Sequence, residues 1–406
     1  YVEKQGKYGI SAGITMEKAS ASLIVPDEIP QVKIQAGYIP EGMEWVDDAS
    51  GKTRLFYSET PDQGGISIGT VLLDSDDTDQ ILRETGVIES EKRTFGSREG
   101  IYLRFQDLEQ DKTFNQVIYL LCPEEYQVVI MNIGDDVTKE DAVKFAENLS
   151  LVKTGEMEKT ENLYSWSEYV SPETEEAEPL ETSIAENELS VVKPGEWLEQ
   201  RVTGETENGE YLELDEIQMR VDSVQVSDNL SLLNGSVLPD GWKEALGSDG
   251  KLAENNLSYI KRGDGVETLD QVVKTETIDQ KLLYVTVTYK NPTETPIYHM
   301  LYHGSLMLID KKDGMYSVRD VEAENFQTGD GVASSTDMTY YSIHDDYGNG
   351  GNYIPVLNPG EELQVDMAWI INEPDLSKAF LNLSGEGACW EFTETVRETG
   401  LVDTRQ

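Results

Sequence analysis

The residues best equipped for chemistry lie in the stretch YYSIHDDYGNGGNY, residues 340–353. His344, Asp345 and Asp346 bring an imidazole and two carboxylates, and Tyr341, Tyr347 and Tyr353 bring aromatic planes. Gly348, Gly350 and Gly351 give the backbone freedom to wrap a ligand. A segment with acids, rings and an adaptable backbone is a candidate ligand-binding loop, because binding residues concentrate on loops held by a rigid frame. The same glycines equally suit a passive connection between strands.

Other constellations are less complete. The run DSDDTD, Asp74 to Asp79, clusters carboxylates as calcium requires, yet Asp79 stands where an EF-hand needs Gly and Thr85 where it needs a bidentate Glu. It reads as a solvated loop leading into a helix. His299 and His303 are spaced i, i+4, but they follow a strand pattern, and Met300 stands where the zincin Glu belongs. No metal and no cofactor is expected from these ligands. GISIG, residues 65–69, spells G-x-S-x-G, but within GGISIGTVLLD it reads as part of a strand and not as a strand-to-helix elbow, and no glycine-rich phosphate loop lies between a strand and a helix. Catalytic residues are therefore not assigned. Carboxylates are so numerous that a glycosidase-like pair remains the alternative.

Charge narrows the partners. Thirty-two basic against 78 acidic residues give a net charge of −46, which repels phosphate backbones and anionic lipid. Nucleic acid is excluded as a partner on this ground. Cys122 and Cys389, the only cysteines, sit in the apolar runs VIYLLC and GACWEF, and both are expected to be reduced and separately buried. No window approaches the roughly 20 apolar residues of a membrane span. The chain begins at Tyr1 rather than Met, and an anchor or export signal is expected upstream.

The elements that must position these residues are mostly strands. At 406 residues, two domains are expected. Residues 1–153 read as an α+β domain, an antiparallel sheet with one or two helices. Its signals are GGISIGTVLLD, GIYLRF and the hairpin NQVIYLLC–YQVVIMNIG turning at Pro123 to Glu125. QILRETG predicts a short helix. Thr138, three residues before Asp141, predicts an N-cap for a helix carrying Val143, Ala146 and Leu149 on one face with Phe145 beside them. Residues 154–190, with Glu173, Glu175, Glu176, Glu178 and Glu181 around Pro172 and Pro179, read as an acidic linker. Residues 191–406 read as a sandwich of short strands, with an insertion at 236–265 that carries helical hints. Leu283, Val285, Val287 and Tyr289 alternate as one face of the clearest strand, and Asp313-Gly314 marks a hairpin turn.

Two stretches resemble known families. AGYIPEGMEW, GGISIGTVLLD and VTKEDAVKFAENLSL resemble the extracellular domain of Firmicutes transmembrane anti-sigma-factor-like proteins, over about the first third of the chain. LYVTVTYKNPTETPI and LNPGEELQVDMAWIINEP resemble the telokin-like, immunoglobulin-fold domains of bacterial surface proteins. The resemblance implies an immunoglobulin-like β-sandwich at the cell surface, outside the membrane, following an α+β ectodomain. It implies a sigma factor as partner only through an absent cytoplasmic part, and a membrane only through an absent upstream anchor. It carries no catalytic residue. The sequence thus points to a non-catalytic extracellular recognition or sensor region for an unknown ligand or protein. A surface enzyme or a structural, adhesive module are the rival classes.

Overall fold

The computed structural model describes residues 2–13, 25–47, 53–57, 59, 63–74, 81–108, 114–170, 179–233, 238–318, 326–345, 351–385 and 389–406. The protein is mainly β and multi-sheet, with two curled sheets. The chain divides into two compact units. Unit 1 is Tyr1–Ala177 with Lys261–Gln271, and unit 2 is Glu178–Ile260 with Val272–Gln406.

Unit 1 is built on a seven-stranded antiparallel sheet. Its order is Met43–Asp47, Thr53–Tyr57, Ile66–Leu72, Gln127–Ile133, Gln116–Cys122, Arg98–Phe105 and Val87–Phe95. The central strands read as unbroken β-branched and aromatic runs because both faces are covered. On one face lies the helix Lys139–Glu147, which buries Ala142, Val143, Phe145 and Ala146. Thr138 caps it as the spacing predicts, its hydroxyl accepting from the Asp141 N–H at 3.1 Å. The helix ends at Glu147, and Leu149 starts a strand instead of extending its apolar face. On the other face, Val71, Leu103, Val117, Val128 and Ile130 pack with Trp166. QILRETG does not form the expected helix: Ile81–Glu84 is a strand paired with Gly9–Gly13. Its Leu, Arg and Glu favour helix intrinsically, but a partner strand some 70 residues earlier in the chain decides the outcome.

The stretch expected as a linker contains ordered elements. Leu149–Lys159 is one strand paired with Glu28–Ala36, and Trp166–Val170 is a short helix whose Trp166 is buried. Ser183–Ala185 pairs with Met315–Val318 in unit 2. The segment Lys261–Gln271 is part of unit 1 although its neighbours in sequence are not. The Val266 carbonyl accepts from the N–H groups of Lys7 and Tyr8 at 2.9 and 2.7 Å, and Gly86 N–H donates to the Gly265 carbonyl at 2.7 Å. Gln106 clasps the Asp270 backbone twice, donating at 2.7 Å and accepting at 3.0 Å.

Unit 2 pairs two larger sheets over one core. The seven-stranded antiparallel sheet runs Tyr340–Tyr341, Glu362–Asn372, Gln280–Lys290, Tyr211–Ser227, Trp197–Glu205, Ile297–Leu301 and Tyr353–Leu357. The six-stranded sheet runs Ser183–Ala185, Met315–Val318, Ser305–Lys312, Ala379–Asn382, Leu401–Asp403 and Val191–Val192. Leu283, Val285, Val287 and Tyr289 all face this core fully buried, at roughly 1.5–3 kcal/mol for each aliphatic side chain. The opposite face of that strand is not solvated, because Leu282 and Tyr284 are buried beneath Trp242 and Leu252. Residues 238–254 thus cover the sheet's second side as turns, not helix. Gly241 and Gly250, both with φ of 78°, interrupt any helical run. Asp313 and Gly314 have φ of 52° and 78°, the hairpin geometry their pairing predicts.

Candidate functional site

Unit 2 holds the three histidines, and the structure divides them between two places. The first is the loop expected to bind. Tyr341 lies against His344, ring centroids 4.5 Å apart, and edge-on to Tyr302 at 6.2 Å. Asp345 accepts from His299 Nδ1 at 2.9 Å. His299 adopts φ of 46° inside the strand Ile297–Leu301, an uncommon conformation for a residue with a Cβ. Tyr302 pins the loop. Its hydroxyl donates to the Ile343 carbonyl and accepts from the Ile343 N–H at 3.1 Å, while its own backbone is bracketed by Asn352 at 3.1 and 2.7 Å. Asp345 N–H donates to the Gly351 carbonyl at 2.9 Å, and Tyr353 opens the next strand opposite Leu301. Tyr341, His344 and Asp345 therefore come together, Tyr353 stands at the loop's exit, and Asp346 and Tyr347 lie outside the described residues. Of the described members only His344 is exposed. The loop's polar groups are largely spent on holding its own shape.

The second place was not legible in the sequence. It is a cavity of about 220 Å³ lined by Tyr289, His303 and Ser384 among others, with His303 Nδ1 and Ser384 Oγ enclosed in the protein beside it without a hydrogen-bond partner. Tyr289 is fully buried and Ser384 is 6% exposed. Val202, Met219, Leu301 and Leu383 form the apolar wall. Arg201 and Glu213, both about half exposed, stand at the rim 3.7 Å apart, and Arg201 is further held by Asp215 at 2.6 Å.

Local sequence explains the convergence. Tyr289 continues the inward alternation of its strand. His303 is held by the residue after it: a Cβ on Gly304 would lie 2.7 Å from the Met367 sulfur, so only glycine lets this backbone approach the core. The Gly304 carbonyl accepts from Met338 N–H at 2.8 Å, and Ser305 bridges to Asp337, which brings the Asp337 carboxylate 3.3 Å from His303 Nε2. Ser384 is fixed by an Asn382 side chain that accepts its N–H at 2.9 Å.

The electrostatics of the two buried hydrogen-bonding rings differ from their free values. Burial holds the His303 imidazole below its ordinary range, more than the nearby Asp337 carboxylate raises it. Burial drives the Tyr289 hydroxyl far above the usual phenol value. Both groups are therefore neutral at pH 7. The cavity has room for about seven waters at ~30 Å³ each.

His299 and His303, considered together for zinc, point to different partners, Asp345 and Asp337. Among the described residues no group of three His, Cys, Asp or Glu side chains gathers as for a metal ion. Asp74, the one described residue of the DSDDTD run, accepts from the Ser167 N–H at 3.2 Å and from its hydroxyl, a contact that anchors the Trp166 helix. Cys122 and Cys389 are both free and buried, their thiols pushed up to about 11 by desolvation.

Unit 1 has its own buried polar cluster. Tyr119 donates to Glu84 at 2.9 Å and shares a hydrogen bond with the Tyr169 hydroxyl at 3.0 Å. Trp166 and Tyr169 stack at 5.6 Å, and Tyr119 meets both edge-on at 6.0 and 6.2 Å. Burial raises the Glu84 carboxyl above its usual range, the Tyr119 hydrogen bond only partly offsetting it. Trp166 Nε1 is buried in this cluster without a hydrogen-bond partner.

The chain matches no family model, no curated protein and no solved structure.

Proposed function

We propose that this chain is a non-catalytic recognition or sensor region of a bacterial cell-surface protein, and that unit 2 holds its ligand in the cavity beside His303. In this reading unit 1 is an α+β ectodomain of the anti-sigma-factor-like kind, and unit 2 is an immunoglobulin-like sandwich. The supporting observation is the cavity itself: Tyr289, His303 and Ser384 line one opening together with Val202, Met219, Leu301 and Leu383. Fixed, buried hydrogen-bonding groups on an apolar wall are the ordinary make-up of a small-ligand site. The scaffold also suits the role, because rigid strands present the site while connecting segments shape its surroundings. A fragment screen by ligand-observed NMR on the full chain tests the reading. Fragments that bind the wild type and weaken with Ser384→Ala support it; a library with no such fragment refutes it.

A second reading rests on one specific juxtaposition. Serine, imidazole and carboxylate are present together in Ser384, His303 and Asp337, the trio of acyl-transfer chemistry. Ser384 Oγ makes no hydrogen bond to His303, which favours binding over attack. A fluorophosphonate probe decides between them, since stable labelling of Ser384 would establish an activated nucleophile.

A further inference from the structure

We infer that the strand Gln271–Ile278 is a docking edge for a second copy of this chain, whose residues 272–278 add to it as an antiparallel strand. The strand is the outer member of a three-stranded sheet with Asn255–Lys261 and Phe326–Gly329, and no further strand flanks it among the described residues. Its outer side is a row of backbone donors and acceptors, the ordinary template for strand addition. Both faces of the strand are open as well. Val272 and Val273, which alternate to opposite faces, are 46% and 50% exposed.

Other edges of the molecule carry guards against such pairing. Tyr353–Leu357, the outer strand of the seven-stranded sheet in unit 2, contains Pro355. Val87–Phe95, the outer strand in unit 1, breaks register between Val87 and Glu89 and carries Glu89, Glu91, Lys92 and Arg93. Gln271–Ile278 has no proline, and Val272, Val273, Thr275, Thr277 and Ile278 are all β-branched. Its one edge lysine, Lys274, forms an ion pair with Glu276 on the same face. Tyr259 on the neighbouring strand steadies that pair, its hydroxyl donating to Glu276 at 3.1 Å and its ring lying 4.7 Å from the Lys274 ammonium.

The charge pattern selects both the occupant and the register. When two copies meet around a two-fold axis at Thr275, Lys274 of each stands opposite Glu276 of the other. With the pair already formed within each strand, this closes a square of alternating charges. Val272 then meets Ile278, Val273 meets Thr277 and Thr275 meets itself, all of them β-branched pairs. Moving the axis one residue either way would set Lys274 against Lys274 or Glu276 against Glu276. The strand is therefore complementary to itself in one register. A single strand pair is small beside the roughly 1,200–2,000 Å² of stable complexes, so the pairing is reversible and grows with concentration.

Sedimentation equilibrium of the full chain at about 0.15 M salt tests the inference, since there the repulsion of −46 is screened beyond about 8 Å. The mean mass should rise with concentration toward twice that of the monomer. Lys274→Glu and Glu276→Lys should each weaken association about tenfold or more, because like charges then fill the square. Mixed in equal amounts, the two variants should associate with each other as tightly as the wild type, which also shows that both are folded. Thr275→Cys should form a disulfide-linked dimer on mild oxidation and Val273→Cys should not, because only position 275 meets itself; Cys122 and Cys389 are buried. A constant monomer mass with no Thr275→Cys dimer would overturn the inference. So would association that neither charge variant weakens, which places the contact elsewhere, and a mixture of the two variants that stays monomeric.

Discussion

Glu84 in unit 1 and His303 in unit 2 are two solutions to one problem, a half-buried titratable side chain beside tyrosines. Around Glu84 the rings of Tyr119, Trp166 and Tyr169 close on each other, and the carboxyl receives the Tyr119 hydrogen bond. In unit 2, Tyr289, Tyr302 and Tyr341 form a line of edge contacts at 6.2 Å, the separation also seen between Tyr119 and Tyr169, and Tyr289 and His303 line a cavity. The difference teaches that buried polarity alone does not mark a site, since Trp166 Nε1 in the first cluster is as unpartnered as His303 Nδ1 in the second. The feature that points to binding is the cavity beside the second.

Truncating an aromatic in either cluster should give the largest effect and separate the two roles. Tyr302→Ala and Trp166→Ala should each cost about 3–5 kcal/mol by denaturant unfolding, as large core truncations do. Only Tyr302→Ala should also abolish fragment binding, because Tyr302 holds the loop through Ile343 and backs the ring that lines the cavity. Loss of binding in Trp166→Ala would erase the distinction.

Removing a hydroxyl sharpens the comparison at a smaller scale. Tyr119→Phe deprives Glu84 of its donor and should cost about 1–3 kcal/mol. Tyr289→Phe removes a neutral hydroxyl bonded to the His303 backbone and should cost less, about 0.5–1.5 kcal/mol. A larger loss from Tyr289→Phe than from Tyr119→Phe would reverse the comparison.

The smallest effects are slopes with pH, and they should run in opposite directions. Glu84 is raised above its ordinary 4.5 in the folded state, so its contribution to unit 1 is full below 4.5 and is lost as pH rises through the raised value. Glu84→Gln should therefore stabilise unit 1 at neutral pH. His303 is lowered from 6.5, so its contribution to unit 2 is full above 6.5 and is lost as pH falls toward the folded value. His303→Gln should flatten that fall. Segment-resolved hydrogen exchange at pH 4.5 and 7 reads both, and parallel slopes in the two units would break the contrast.

Local signals in the sequence were reliable, and distant ones were not. Thr138 with Asp141, Asp313 with Gly314, and the inward alternation from Leu283 to Tyr289 each depend on neighbours within a few residues. Ile81–Glu84 was misread because the strand Gly9–Gly13 that recruits it lies far away in the chain. The covering of the sheet by Trp242 had the same cause, since periodicity says nothing of what returns to the second face. The loop 340–353 advertised itself through composition, while its restraint by Tyr302 was hidden. The cavity joins residues 289, 303 and 384, whose spacing fits no motif. Its only sequence trace is His303, which drew attention for zinc and proves to matter through Asp337 instead.

The segment Lys261–Gln271, supplied to unit 1 from far along the chain, sets an order on birth as well as on shape. A ribosome that has finished Ala177 has made most of unit 1 but not the residues that meet Lys7, Tyr8, Gly86 and Gln106. At roughly 5–20 residues per second, the nascent unit waits on the order of 5–20 s for them. Throughout that interval the first part of unit 2 is already emerging beside it. Completion of the earlier unit is thus tied to synthesis of the first part of the later one, which itself continues to Gln406.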